Sequence, residues 1–415
     1  MILPKILLSL AALSGFTCVA ETRYVGGDIS LLPEYENAGA IYKNEKGEPV
    51  ADLLPFLREE GMNAMRVRLF VNPQDYKGSD ADKNACQDLE YIIPLCKRIK
   101  NEGFSLLLDF HYSDTWADPA KQWTPEAWKD LSDDELYVKI YEYTKETLET
   151  LKEEGIIPDF IQPGNEISYG MLWGGYNTPE SELKKTFLGS DANWERLGKL
   201  LDQAIKGCKE ECPDAKIILH TERVGDIAVQ NNFYDKMKTL GVEYDIIGLS
   251  YYPYFHGKID VLKNALSSLE QNFPDKEIMI VETGYPYAWE VPGTSQPVDY
   301  PYSEDGQNEF ARILVETLEE YENVNGLFWW WLEYNAYNTS LSGWYNAPLF
   351  NSMTGKASPA LKTICSFASG SGGVDEIMIG SDGEEIWYDL NGIPVASPTS
   401  DGIYIKGNKK IRLKF

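Results

Sequence analysis

The sequence predicts an α/β protein, a (β/α)8 TIM barrel with a small β appendage at its C-terminal end. Three observations carry this. Short aliphatic or β-branched runs alternate with longer amphipathic stretches, the pattern of repeated βα units and not of a sandwich or a bundle. Eight such pairs can be counted, and eight parallel strands joined by right-handed crossovers close on themselves. No glycine-rich phosphate fingerprint follows the first run, which weighs against the competing doubly wound open sheet. At 415 residues the chain is long for one domain but normal for a barrel with insertions.

Taken in order, residues 1–20 hold Lys5, an apolar run from Ile6 to Phe16 and the small-residue ending Cys18-Val19-Ala20, and read as a cleavable signal peptide. The mature chain is then expected to begin near Glu21 and to work outside the cytoplasm, secreted, periplasmic or on the cell surface. Lipid attachment at Cys18 is the rival reading, which Phe16 and Thr17 fit poorly. No other apolar run reaches membrane-spanning length. The barrel is assigned to residues 21–368. Its strand candidates are Tyr24 to Ile29, Ala64 to Phe70, Ser105 to Phe110, Phe160 to Pro163, Lys216 to His220, Ile246 to Ser250, Glu277 to Val281 and Gly326 to Trp331. Helical patterns lie between them, such as Glu135 to Glu153, Trp194 to Glu211, Ile259 to Gln271 and Glu304 to Glu322. Residues 369–374 form a Gly/Ser linker. Residues 375–415 carry hairpin signals at Asn391-Gly392 and Asp401-Gly402. The tail resembles C-terminal segments of secreted Gram-negative proteins, which implies a role in export or surface attachment.

A formal net charge of -27 and a pI near 4.5 speak against nucleic acid or an anionic membrane as partner. A neutral polymer is compatible, and so is plain solubility. Five cysteines follow the leader, Cys86, Cys96, Cys208, Cys212 and Cys365. An odd number cannot pair completely, so mostly free, buried thiols are expected. The three histidines, His111, His220 and His256, have no second Cys or His at metal-ligand spacing. No cofactor is called for.

Barrel enzymes place their chemistry at the C-terminal ends of strands. Two glutamates stand there. Glu166 follows strand four in Gln162-Pro163-Gly164-Asn165-Glu166, and Glu282 closes strand seven in Ile280-Val281-Glu282-Thr283-Gly284. Hydrolysing an acetal without a metal needs one carboxylic acid to protonate the leaving oxygen and one carboxylate to attack the anomeric carbon. Strands four and seven face each other across a barrel mouth. A single strand-end glutamate is more often an ion-pair partner; two in these contexts point to glycoside hydrolysis.

The contexts resemble clan A glycoside hydrolases and, within the clan, family 53, the arabinogalactan endo-β-1,4-galactanases. The similarity is carried by Gly27-Asp28-Ile29-Ser30, Met65-Arg66-Val67-Arg68, Asp109-Phe110-His111-Tyr112-Ser113-Asp114 with Trp116-Ala117-Asp118-Pro119, Gly164-Asn165-Glu166-Ile167-Ser168 with Leu172-Trp173, Ser250-Tyr251-Tyr252-Pro253 with His256-Gly257, and the late stretch through Trp344, Asn346 and Leu349-Phe350. Two departures are visible: Pro163 replaces a small aliphatic residue, and Trp330-Trp331-Leu332 stands where the family often has Trp-Glu-Pro.

The resemblance implies a retaining endo-hydrolase with Glu166 as acid/base and Glu282 as nucleophile. Asn165 would hold the 2-hydroxyl, and Arg66, or its same-face neighbour Arg68, would keep the nucleophile ionised. His111, Asp114, His220, Tyr251, Tyr252 and His256 would bind sugar. Trp116, Trp173 and Trp330 would stack on sugar faces, Trp330 on the premise that it lies in a strand pointing opposite to Trp329 and Trp331. A monomer acting on β-1,4-galactan, a pectin side chain, is the expected form. Calcium bound by Asp299, Glu304 and Asp305 is a further possibility that some bacterial relatives suggest, against the plainer reading of solvated loop acids. Two rivals stand: another clan A glucanase or mannanase, and a catalytically silent polysaccharide-binding protein.

Overall fold

Eight parallel strands close into a barrel in simple sequential order: β1 Tyr24–Asp28, β2 Ala64–Leu69, β3 Ser105–Phe110, β4 Phe160–Pro163, β5 Lys216–Thr221, β6 Ile246–Tyr251, β7 Glu277–Thr283 and β8 Val324–Trp329. The structure, a computed structural model, describes residues 22–79, 81–186, 191–294, 296–337, 339 and 343–369, and in the tail residues 387–388, 394–395, 402–406 and 409–413. The expected signal peptide, linker residues 370–374 and the Asn391-Gly392 turn lie outside the described residues. No described helix is long and apolar enough to cross a membrane.

The expectation for strand eight is corrected. It ends at Trp329, and Trp331 adopts a left-handed backbone with φ 54°, so Trp330 and Trp331 lie past the strand and do not alternate as strand residues. The Trp330 N–H still donates to the Thr283 carbonyl of β7 at 2.7 Å. The backbone therefore turns just past the barrel rim, and both indoles end up in one aromatic cluster with Tyr252 and Tyr254.

Period-two alternation explains the rest of the barrel. Ala64, Leu107, Phe160, Ile218, Ile246, Met279 and Phe328 fill its interior, and the intervening residues meet the helices in a much larger outer core. Counting two residues onward from each interior position predicts what faces the mouth: Arg66 from Ala64, Asp109 from Leu107, Gln162 from Phe160 and His220 from Ile218. β7 breaks the count. Its register slips against both neighbours, Leu249 pairing with Ile280 but Ser250 with Glu282. Such a bulge adds one residue to the strand, and here it turns Glu282 inward although Val281 already faces the interior.

The helices carry their own start signals. Ser132 and Glu135 form a reciprocal capping box ahead of the helix Asp133–Glu153. Ser303 caps the helix Glu304–Leu318, with Glu304 and Asp305 in its positive first turn. The five thiols are free; Cys96, Cys208, Cys212 and Cys365 are buried and Cys86 is half-buried.

The chain divides into two units, one ending at Ala368 and one beginning at Ser369. The second unit holds β9 Trp387–Tyr388, β10 Pro394–Val395, β11 Gly402–Lys406 and β12 Lys409–Leu413. They form an antiparallel sheet in the order β10-β9-β11-β12.

Candidate active site

The C-terminal ends of the barrel strands open into a cleft of about 730 Å³. Glu166 and Glu282 both line it, with Trp116, Asn165, Tyr252, His256 and Trp330 around them.

Glu282 is held by a cation. Arg66 Nη2 lies 2.9 Å from Glu282 Oε1, and the Tyr252 hydroxyl donates to Oε2 at 3.2 Å. The choice between the two arginines is thereby decided: Arg66 meets Glu282. Arg68 bonds Asp28 at 2.6 Å instead and sits among the rings of Trp116, Trp330 and Trp331 at 4.8 to 5.3 Å. Arg66 is fully buried and shared: Nη1 donates to Asp28 at 3.2 Å, and Nη2 to Asp109 at 2.7 Å and Asn165 Oδ1 at 2.9 Å. Asn165 Nδ2 donates to the Ala117 carbonyl at 2.8 Å, which fixes the orientation of that amide.

Glu166 sits two residues beyond Gly164. Gly164 has φ +103°, and a Cβ there would come within 2.7 Å of Ile167 Cγ2, so the sharp exit from β4 requires glycine. Glu166 itself is left-handed, φ 46°, a conformation uncommon outside glycine and frequent at functional sites. Its Oε1 accepts from the Ser250 hydroxyl at 2.6 Å, and its N–H donates to His220 Nδ1 at 3.3 Å. Gln162 Nε2 also points at Nδ1, 3.2 Å away. Two donors on Nδ1 leave the ring proton on Nε2, against one opposing contact to Asn165 Oδ1 at 3.1 Å. His220 Nε2 then donates to Ser250 Oγ at 2.8 Å, and the Ser250 hydroxyl in turn donates its hydrogen bond to Glu166. Burial, then the Arg66 charge, holds His220 well below the ordinary histidine range, so the ring in this relay is neutral.

The two carboxyl groups differ in basicity for a visible reason. Burial raises Glu166 far above the usual carboxylate range, with the Glu282 charge adding to it. Burial raises Glu282 as well, and the Arg66 charge opposes it, which leaves Glu282 at about 7. Arg66 thereby makes Glu282 the more acidic of the pair. The shared proton belongs on Glu166, as an acid and a nucleophile require.

The Ser250 bond gives a prediction. Donation from Ser250 favours ionised Glu166 and lowers its pKa. Ser250→Ala removes it, the Glu166 pKa rises, and the acid stays protonated to higher pH. The alkaline limb of the kcat/KM profile should shift to higher pH, and a profile that stays put or shifts to lower pH would remove Ser250 from the relay.

Not every expected sugar ligand faces the cleft. Trp173 is fully buried, its Nε1 donating to the Tyr169 carbonyl at 3.0 Å, and the edge of its ring meets Trp123. Tyr251 points outward from β6 and donates to the Gly257 carbonyl at 3.0 Å. Asp114 is buried and accepts the N–H groups of Asn72 and Glu126 at 2.9 and 2.8 Å, so it ties loops together. His220 serves the relay, and buried His111 lies 3.1 Å from Asp109 Oδ2 while accepting the Ala117 N–H. Tyr252, His256, Trp116 and Trp330 do line the cleft. The Trp116 ring is fixed by donation to Asp82 Oδ2 at 3.0 Å. His256 accepts the Tyr252 N–H on Nδ1 at 3.0 Å and is pushed down to about 4, by burial first and then Arg223, so it offers a neutral Nε2–H.

Sequence reasoning assigns no role to Asp28, Asp109, Gln162, Ser250 or Glu222. Strict alternation from the interior residues would have found most of them and would have excluded Tyr251. Of the acidic loop residues, Asp299 pairs with Lys258 and Glu304 accepts from Asn351 at 2.9 Å. Among the described residues no three or more His, Cys, Asp or Glu side chains are gathered as a metal site would need.

A closed βα barrel whose mouth holds two glutamates of unequal acidity, ringed by aromatic faces and neutral hydrogen-bonding groups, defines a glycoside hydrolase of the two-carboxylate type. The model of Glycosyl hydrolase family 53 matches residues 24–364, and the chain belongs to this family. It is similar to the arabinogalactan endo-β-1,4-galactanase A of Aspergillus niger, 34% identical over 354 residues, 82% of this chain and 93% of the relative. Among solved structures it is similar to a GH53 catalytic domain from Ignisphaera aggregans, with 33% identity, a TM-score of 0.71, and coverage of 83% of this chain and 95% of that one. A fungal β-1,4-galactanase structure matches with 31% identity, a TM-score of 0.68, and coverage of 83% and 99%.

Proposed function

We propose that this chain is an endo-β-1,4-galactanase that cuts galactan and arabinogalactan side chains of pectin by double displacement with net retention. The observation that carries the chemistry is the asymmetry of the pair: Glu282 has Arg66 beside it at 2.9 Å, and Glu166 has a hydroxyl donor from Ser250. Glu282, the more acidic, attacks the anomeric carbon while Glu166 passes its proton to the departing O4; Glu166 then takes a proton from the water that cleaves the glycosyl ester. The two carboxyl groups supply both proton and nucleophile, so the reaction is written without a cofactor. The galactan specificity is supported by the relatives that carry that name.

Stereochemistry makes the specificity testable. Galactose carries O4 axially, so its β-1,4 chain curves, whereas cellulose is a flat ribbon. Stacking on Trp116 and Trp330 accepts any β-linked ring, so discrimination falls to polar groups left unpaired by an equatorial O4. Potato-type galactan should be cut early into short oligosaccharides, with cellulose derivatives, mannan and xylan nearly untouched, and the first product should be the β-anomer by proton NMR. Faster turnover of a glucan or mannan would overturn the substrate, and an α-anomer the mechanism. Secretion, with the tail serving export or surface attachment, is part of the same proposal and rests on the leader and tail sequences.

A further inference from the structure

We propose that Glu222, a third acidic side chain in the cleft, binds the sugar on the leaving-group side of the scissile bond, the first ring beyond the point of cleavage. This rests on the galactanase reading above.

Glu222 lies one residue past the end of β5. Ile218 faces the barrel interior and His220 the mouth, so alternation points Glu222 the same way one layer higher. There it lines the cleft while only 7% exposed. One of its oxygens is satisfied: Oε2 accepts from Ser168 Oγ at 2.8 Å. The other is not. Oε1 is buried without a hydrogen-bond partner, and Arg223 Nη1 stands 4.0 Å away, beyond hydrogen-bond reach. A buried carboxyl oxygen left bare is costly unless a donor arrives from outside. In a sugar-binding cleft that donor is a hydroxyl group.

Its position assigns the side. The acid must stand next to the oxygen that departs, because it delivers its proton there. Ser168, which holds Glu222, is two residues beyond Glu166 on the same short turn. The Glu222 charge is among those that raise Glu166, whereas for Glu282 the effects after burial come from Arg66, Asp109 and Asp28. Glu222 is thus grouped with the acid and away from the nucleophile. A ring bound there belongs to the departing chain.

The test compares two substrates in one enzyme. Galactan places a sugar beyond the scissile bond; dinitrophenyl β-1,4-galactobioside places an aryl group there with no hydroxyl to offer. Glu222→Gln keeps the shape and a partner for Ser168, and Glu222→Ala removes the side chain, with thermal unfolding checking the fold of each. The ratio of kcat/KM on galactan to that on the aryl substrate should fall about 5- to 100-fold, the range for leaving a buried hydrogen-bonding group without its partner. A ratio within about threefold of wild type in the folded variants would overturn the proposal. So would a fall that disappears when each enzyme is assayed at its own pH optimum, since Glu222 would then act only through the protonation of Glu166, whose loss also spares the aryl substrate. If the wild-type enzyme ignores galactan but cuts another β-1,4-glycan, the galactan reading fails, and the same ratio on that glycan judges Glu222.

Discussion

Glu282→Ala is expected to abolish turnover of galactan, with kcat falling by about 10⁴-fold or more, because no other group can form the glycosyl ester. The fold should survive. Arg66 loses one of three anionic partners and keeps Asp28 and Asp109, so the buried cation is not stranded. Added azide can occupy the vacated space, attack an activated aryl galactobioside from the same face, and restore part of the rate with an α-galactosyl azide as product. A folded variant that keeps more than about one-hundredth of the wild-type rate would deny Glu282 its role.

Glu166→Ala should behave differently, and the difference is its signature. Loss of the general acid costs about 10²- to 10⁴-fold where the leaving group needs a proton. On galactan kcat/KM should fall by that amount. On dinitrophenyl galactobioside, whose leaving group departs without protonation, kcat/KM should change little, although the second step slows for want of a base. The alkaline limb of the profile should also disappear, since it reports the proton on Glu166. Equal losses on the two substrates would mean that Glu166 holds the cleft together but does not protonate.

The barrel was legible because each βα unit writes its own local pattern. Seven of the eight strands start at the expected residue. The eighth misled because three tryptophans in a row look like strand, whereas it ends at Trp329 and the backbone turns left-handed at Trp331. That Glu166 and Glu282 share the cleft was legible from strand-end position and motif, yet sequence alternation would have turned Glu282 away from the mouth; the β7 bulge brings it back. What a strand-end polar residue touches was much harder to read. His220, Asp114 and Trp173 look like ligands in sequence, but whether a side chain meets sugar or protein depends on loops that fold over it from distant positions. Glu222 escaped notice for the opposite reason: an acidic residue after a strand is usually solvated, and its bare oxygen exists only in three dimensions.

The sharing of Arg66 among three carboxylates bears on the lifetime of the covalent state. When Glu282 becomes an ester it stops being an anion, and an arginine paired with it alone would face a neutral group in a dry interior for as long as the ester lasted. Here Asp28 and Asp109 continue to neutralise the guanidinium at 3.2 and 2.7 Å, so forming the glycosyl-enzyme demands no rearrangement of the charged groups beneath it. The same scaffold then receives the carboxylate back when water cleaves the ester. Both halves of the cycle run over one fixed electrostatic floor, and the barrel itself has no cause to breathe between them.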